Sequence, residues 1–165
     1  KLKLLDLNTG KSKVFISDLA KEVKNCSVFD SNNQEFHEFL LNNDDKQYFF
    51  RTIQTTTHYL FFVCQIIPYP PSYEAKTYYG LFSISKDKKT IRLIRSFDKG
   101  TTVSDFEVDH KGNIQLLLEH RKGIKDISAS TLVLGPDSED LNNGWMIMRE
   151  GSHPECGFHY LGQFE

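Results

Sequence analysis

The stretch VSDFEVDHKGNIQLLL, residues 103–118, decides the fold. It holds two runs of strand-forming residues separated by the polar turn Asp109-His110-Lys111-Gly112-Asn113. Gly112 sits where a turn wants positive φ, a region that Asn and Asp tolerate next best. On strict alternation, Val103, Asp105 and Glu107 take one face, opposed by Phe106 and Val108. Past the turn, Ile114, Leu116 and Leu118 alternate with Gln115, so the stretch reads as an antiparallel hairpin.

Working outward, two more segments share this shape. Leu2 to Ile16 turns through Asn8-Thr9-Gly10-Lys11, and Tyr78 to Ile94 turns through Ser85-Lys86-Asp87-Lys88-Lys89. In the latter, Phe82 and Ile84 before the turn share a face with Ile91 and Leu93 after it. Two further strands, Gln47–Ile53 and His58–Ile66, lie between these hairpins. The run Leu60 to Val63 lacks alternation, as a strand covered on both faces does. Later strands are expected at Ala129–Leu134, ending on the turn pair Gly135-Pro136, at Trp145–Arg149 and at Phe158–Phe164. Ser17 to Asn43 is the least β-like region. A short helix is expected from Asp18 and Glu22 through Lys24, or over Asn33–Leu41 with Phe36, Phe39 and Leu40 on its apolar face. An irregular strand at Cys26–Phe29 fits equally well. The class is mainly β, with antiparallel hairpins and at most one or two short helices. It is either a propeller-like segment or a β-sandwich or barrel.

Composition agrees. The chain has 165 residues, 39% hydrophobic and 25% charged, with 13 Phe and 7 Tyr. Such a chain buries one core, and aromatics favour a pleated surface. Residues 1–165 thus read as a single β domain or as a segment of something larger. The charge balance of 20 Lys+Arg against 22 Asp+Glu leaves no strongly basic face, so no nucleic-acid partner is expected. The basic runs Lys86–Lys89 and Arg121–Lys125 read as solvated loops. No apolar run approaches the ~20 residues of a membrane-spanning helix. The chain begins at Lys1, which reads as a processed product or an excised domain. Cys26, Cys64 and Cys156 are too few and scattered for a disulfide framework.

Residues 103–117 resemble the first hairpin of a β-propeller blade, in which D-x-x-G-N joins an inner strand to the next. Leu4 to Lys11, with its D-x-x-T-G-K, is similar to a blade's outer hairpin. The strings YLFF (residues 59–62) and YYGLF (78–82) resemble the six-bladed propellers of secreted or surface-anchored bacterial proteins. The resemblance implies one four-stranded blade over Gln47–Arg95, a second over Val103–Glu150, and Leu2–Ile16 as the outer half of a preceding blade. It also tilts the otherwise open compartment toward secreted or surface-exposed.

No catalytic motif stands out. His153, Cys156 and His159 could supply metal ligands, with His110 or His120 from elsewhere, but their surroundings read as a polar Gly/Pro loop. The acidic sets Asp105-Glu107-Asp109 and Asp137-Glu139-Asp140 read as a wet strand face and a turn. No metal or cofactor is therefore expected. The strongest binding feature is the loop around Tyr69, Pro70, Pro71 and Tyr73. Proline stiffens it, and each tyrosine offers apolar area with a polar tip; the duller reading folds the tyrosines back over the sheet edge. The expectation is a non-enzymatic module binding a protein or glycan through loops. The alternatives are a hydrolase or lyase using dispersed carboxylates and histidines, gathered around His110, Asp105 or Glu107, and a structural segment partnered by the rest of a longer chain or complex.

Overall fold

The structure, a computed structural model, describes residues 1–28, 34–42, 45–71, 77–122, 127–136 and 145–153. Within these the protein is mainly β. Strands β1 (Leu2–Leu5) and β2 (Ser12–Ile16) form a two-stranded hairpin. Helix α1 (Leu19–Lys24), the two-residue strand β3 (Ser27–Val28) and helix α2 (Gln34–Leu41) follow. Then come β4 (Lys46–Thr55), β5 (Tyr59–Pro68), β6 (Tyr78–Ser85) and β7 (Ile91–Phe97). The last four are β8 (Thr101–Val108), β9 (Ile114–Arg121), β10 (Ile127–Pro136) and β11 (Trp145–His153).

Strands β4 to β7 pair in sequence order as an antiparallel meander, and β8 to β11 form a second one. These are the two segments that the sequence divides into four-stranded units, each extended by a few residues. β3 adds to β7 in parallel, with Ser27 opposite Arg92 and Val28 opposite Leu93. The helix and strand readings of the Ser17–Asn43 region are therefore both realised. Asp18 caps α1 by accepting from the Lys21 amide at 3.1 Å, and Phe36 and Leu40 bury the inner face of α2.

Two apolar layers hold the sheets. One face of the first sheet (Phe62, Cys64, Phe82, Leu93) packs beneath Phe15, Val23 and Phe36 from the hairpin and helices. Its other face (Phe61, Val63, Leu81) packs against Val103, Phe106 and Leu116 of the second sheet. β5 is buried from both sides, which is why Leu60 to Val63 does not alternate. Full burial of each such side chain contributes about 1.5–3 kcal/mol, so this doubly covered strand anchors the molecule.

Strict alternation fails at one place in the decisive hairpin. Val103 and Phe106 both face the core, because the pairing slips between Val103 and Asp105. Ser104 is the extra residue of a β-bulge, which moves Val103 to the face of Phe106. β10 also runs through Gly135-Pro136 instead of ending before it, with Pro136 opposite Trp145. The expected strand Phe158–Phe164 lies outside the described residues.

The turns are built as the residues dictate. Gly10 and Gly112 have φ of 67° and 85°. The Asp6 carboxylate accepts from the amides of Asn8 and Thr9, so the first turn opens at Asp6. Asp109 accepts from the amides of Lys111 and Asn113, both at 2.8 Å, and from Asn113 Nδ2 at 2.7 Å.

Candidate functional site

The antiparallel order puts the end of β5, the start of β6, the end of β7 and the start of β8 at one end of the sheets. The three-residue link 98–100 joins the sheets there, and the end of β9 and start of β10 share that end. This rim carries the loop singled out from sequence. Tyr69 is 54% exposed, and Pro70 and Pro71 are exposed beside it. Tyr69 thus keeps about half of its surface in water. Its amide donates to the Asp45 carbonyl at 2.7 Å, which ties the loop to the entry of β4, and the Tyr69–Pro70 peptide is cis. Tyr73 lies outside the described residues.

Helix α2 reaches the same rim. Lys46, opposite Pro68 in the ladder, donates to the Asn42 carbonyl at 3.0 Å. Its ammonium lies 5.2 Å from the Phe39 ring centroid, a cation–π distance. Phe39 stands 4.4 Å from the ring of Tyr78, whose hydroxyl donates to Glu35 Oε1 at 2.8 Å. The Tyr78 ring is buried, and burial first, then Glu35, pushes its phenol well above the ordinary range. Far apart in the sequence, Phe39 and Tyr78 gave no sign there of meeting, because they lie on different elements.

A second polar constellation was not read from the sequence, which offered His120 only as a candidate metal ligand. His120 Nδ1 is 3.1 Å from Thr101 Oγ1, and its Nε2 is 2.7 Å from Ser130 Oγ. One imidazole thus joins three neighbouring strands, β8, β9 and β10. A hydroxyl both donates and accepts, so both ring nitrogens are satisfied in either tautomer. The only sequence signal would have been the strand register, which sets Thr101 opposite His120.

Other candidates separate. His110 sits in the β8–β9 turn, at the opposite end of that hairpin from His120. Asp105 and Glu107 lie exposed on one strand face, and Asp105 accepts from the neighbouring Phe106 amide. Asp109 has left that face to build the turn. Among the described residues no three His, Cys, Asp or Glu side chains gather to hold a metal ion. Cys156, His159 and Asp137 to Asp140 lie outside the described residues, and of His153 only the backbone pairing with Ala129 is described. Burial pushes the Cys26 thiol up to about 11 and the Cys64 thiol higher still, which disfavours a thiolate at either. No helix among the described residues is long and apolar enough to cross a membrane.

Comparison with known protein families, curated proteins and solved structures finds no match for this chain.

Proposed function

We propose that the chain is a non-enzymatic recognition module, holding a protein or glycan at its loop rim through Tyr69, Pro70 and Pro71, with Tyr73 as their neighbour in sequence. The observation that carries this reading is the exposed Tyr69 ring on a loop whose backbone is tethered to Asp45. A tethered aromatic loses little conformational freedom on binding. Substituting Tyr69→Ala and Tyr73→Ala tests it: ligand capture should fall with either, and capture unchanged by both would remove the reading.

We further propose that the sheets are successive propeller blades, as the D-x-x-G-N and D-x-x-T-G-K hairpins suggest. Three features support this. Each unit is a four-stranded meander in chain order, the units stack face to face, and the β1–β2 hairpin lies on the outer face of the first. Among the described residues the first strand of each meander, β4 and β8, is the last in its sheet, and the two touch. Innermost strands gathered about an axis would do the same.

A further inference from the structure

We infer that the β1–β2 hairpin docks the protein on the surface of an anionic lipid bilayer. The base of the hairpin is held by the first sheet, where Phe15 and Ile16 are buried and Leu2 packs beside them. From Lys3 to Val14 every residue is exposed, so the rest of the hairpin stands in solvent. Leu7, in the turn, is 88% exposed, and Leu5, Val14 and Leu4 follow at 60%, 46% and 39%. A two-stranded hairpin is marginal in water on its own, and leucines left in water add nothing to its stability. Apolar groups gathered in this way mark a surface that docks on something.

The arrangement of the side chains selects the occupant. Cross-strand partners share a face, so Leu4 and Lys13 lie on one face, and Leu5, Ser12, Lys3 and Val14 on the other. Apolar groups thus occupy both faces and the tip. A protein partner covers one face of a hairpin, whereas the interfacial layer of a bilayer surrounds an inserted tip on every side. The charge fits as well. The whole chain has a net charge of −2, yet Lys3, Lys11 and Lys13 flank these leucines against one carboxylate, Asp6. That carboxylate is turned onto the Asn8 and Thr9 amides of its own turn. Long lysine stems let the ammonium groups meet lipid phosphates while the leucines enter the acyl boundary. At the base, the Lys89 ammonium lies 5.6 Å from the Phe15 ring centroid, which brings the exposed Lys88 and Lys89 to the same region. The base therefore sits by the β6–β7 turn, at the opposite end of the first sheet from the Tyr69 loop.

The test is co-sedimentation of the whole chain with vesicles of phosphatidylcholine, alone or mixed with phosphatidylglycerol. The mixed vesicles should bind it and the neutral ones should not, and high salt should weaken the binding. Leu5→Ala combined with Leu7→Ala should weaken it roughly tenfold, since both side chains leave water on insertion. Lys11→Gln combined with Lys13→Gln should weaken it by more than about fivefold. All four side chains are exposed, and thermal unfolding of each variant checks that the fold is kept. Failure to bind the mixed vesicles, or equal binding to both kinds, overturns the inference. Binding that falls with the lysine pair and ignores the leucine pair is a polyanion contact without insertion, and overturns it too. Sedimentation velocity without lipid supplies the last arm. A dimer that the leucine pair disperses, with vesicles left unbound, would assign the hairpin to a second copy of the chain and sink the lipid inference.

Discussion

Nε2 of His120 lies 2.7 Å from Oγ of Ser130, on the far side of the imidazole from Thr101. Ser130 is a buried residue, so its hydroxyl depends on this partner. His120→Ala removes two hydrogen bonds and strands that hydroxyl, which should cost about 1–3 kcal/mol of stability. Ser130→Ala made in the His120→Ala background should cost less than it does in the wild type, because the stranded group is then gone. Urea unfolding of the four proteins measures both numbers, and additive losses would show the bond to be energetically idle.

Gly100 occupies a place no other residue fits. Its φ is +89°, and an added Cβ would lie 2.8 Å from the backbone oxygen of Arg121. The Arg121 amide in turn donates to the Gly100 carbonyl at 2.8 Å, so the two segments cannot draw apart without losing that bond. Gly100→Ala should therefore destabilise by more than about 1 kcal/mol. Gly10→Ala is the control: φ is +67° but nothing stands within 4 Å of the added methyl. It should bear the backbone strain alone and lose less, as thermal melts of the pair will show.

Asp109 and Asp105 look equivalent in the sequence and are not. Three hydrogen bonds converge on the Asp109 carboxylate, whereas Asp105 accepts one from its own neighbour. Asp109→Ala should cost about 1–2 kcal/mol by unpinning the β8–β9 turn. Asp105→Ala, on an exposed strand face, should stay within about 0.5 kcal/mol of wild type. Equal losses from the two substitutions in denaturant titrations would contradict the turn assignment.

The contrast shows what a sequence can carry. Period-two burial located β6 and β7 because Phe82, Ile84, Ile91 and Leu93 share a face and flank a polar turn. It misassigned Val103 because one bulged residue reverses the parity of everything before it, and nothing local in Ser104 announces a bulge. The parallel pairing of β3 with β7 was invisible for another reason: two residues have no period. Of the rim, Tyr69 and its prolines were legible as a composition. Phe39, Tyr78, Glu35 and the His120 bridge were not, since register and helix placement bring them together, and those are set by packing between distant segments.

Tyr78 offers a pH-dependent reading of that packing. Its ring is buried against Phe36 and Phe39, and its hydroxyl donates to Glu35, so the fold favours the neutral phenol. The folded-state pKa stands above the unfolded value of about 10. In the window between them the native state holds a proton that the unfolded chain has lost, so stability must fall as pH rises. The contribution is whole below about pH 10 and declines above it. Tyr48, also raised by burial, adds to the slope in the same direction. Tyr78→Phe keeps the ring and deletes the titrating group, so it should flatten the alkaline fall while leaving Tyr48's share. Urea midpoints measured from pH 8 to about 11, with tyrosinate absorbance followed in parallel, decide the matter. A Tyr78→Phe protein that loses stability as steeply as wild type would mean that the phenol is not held neutral by the fold, and that the Glu35 bond is not what docks α2 against β6.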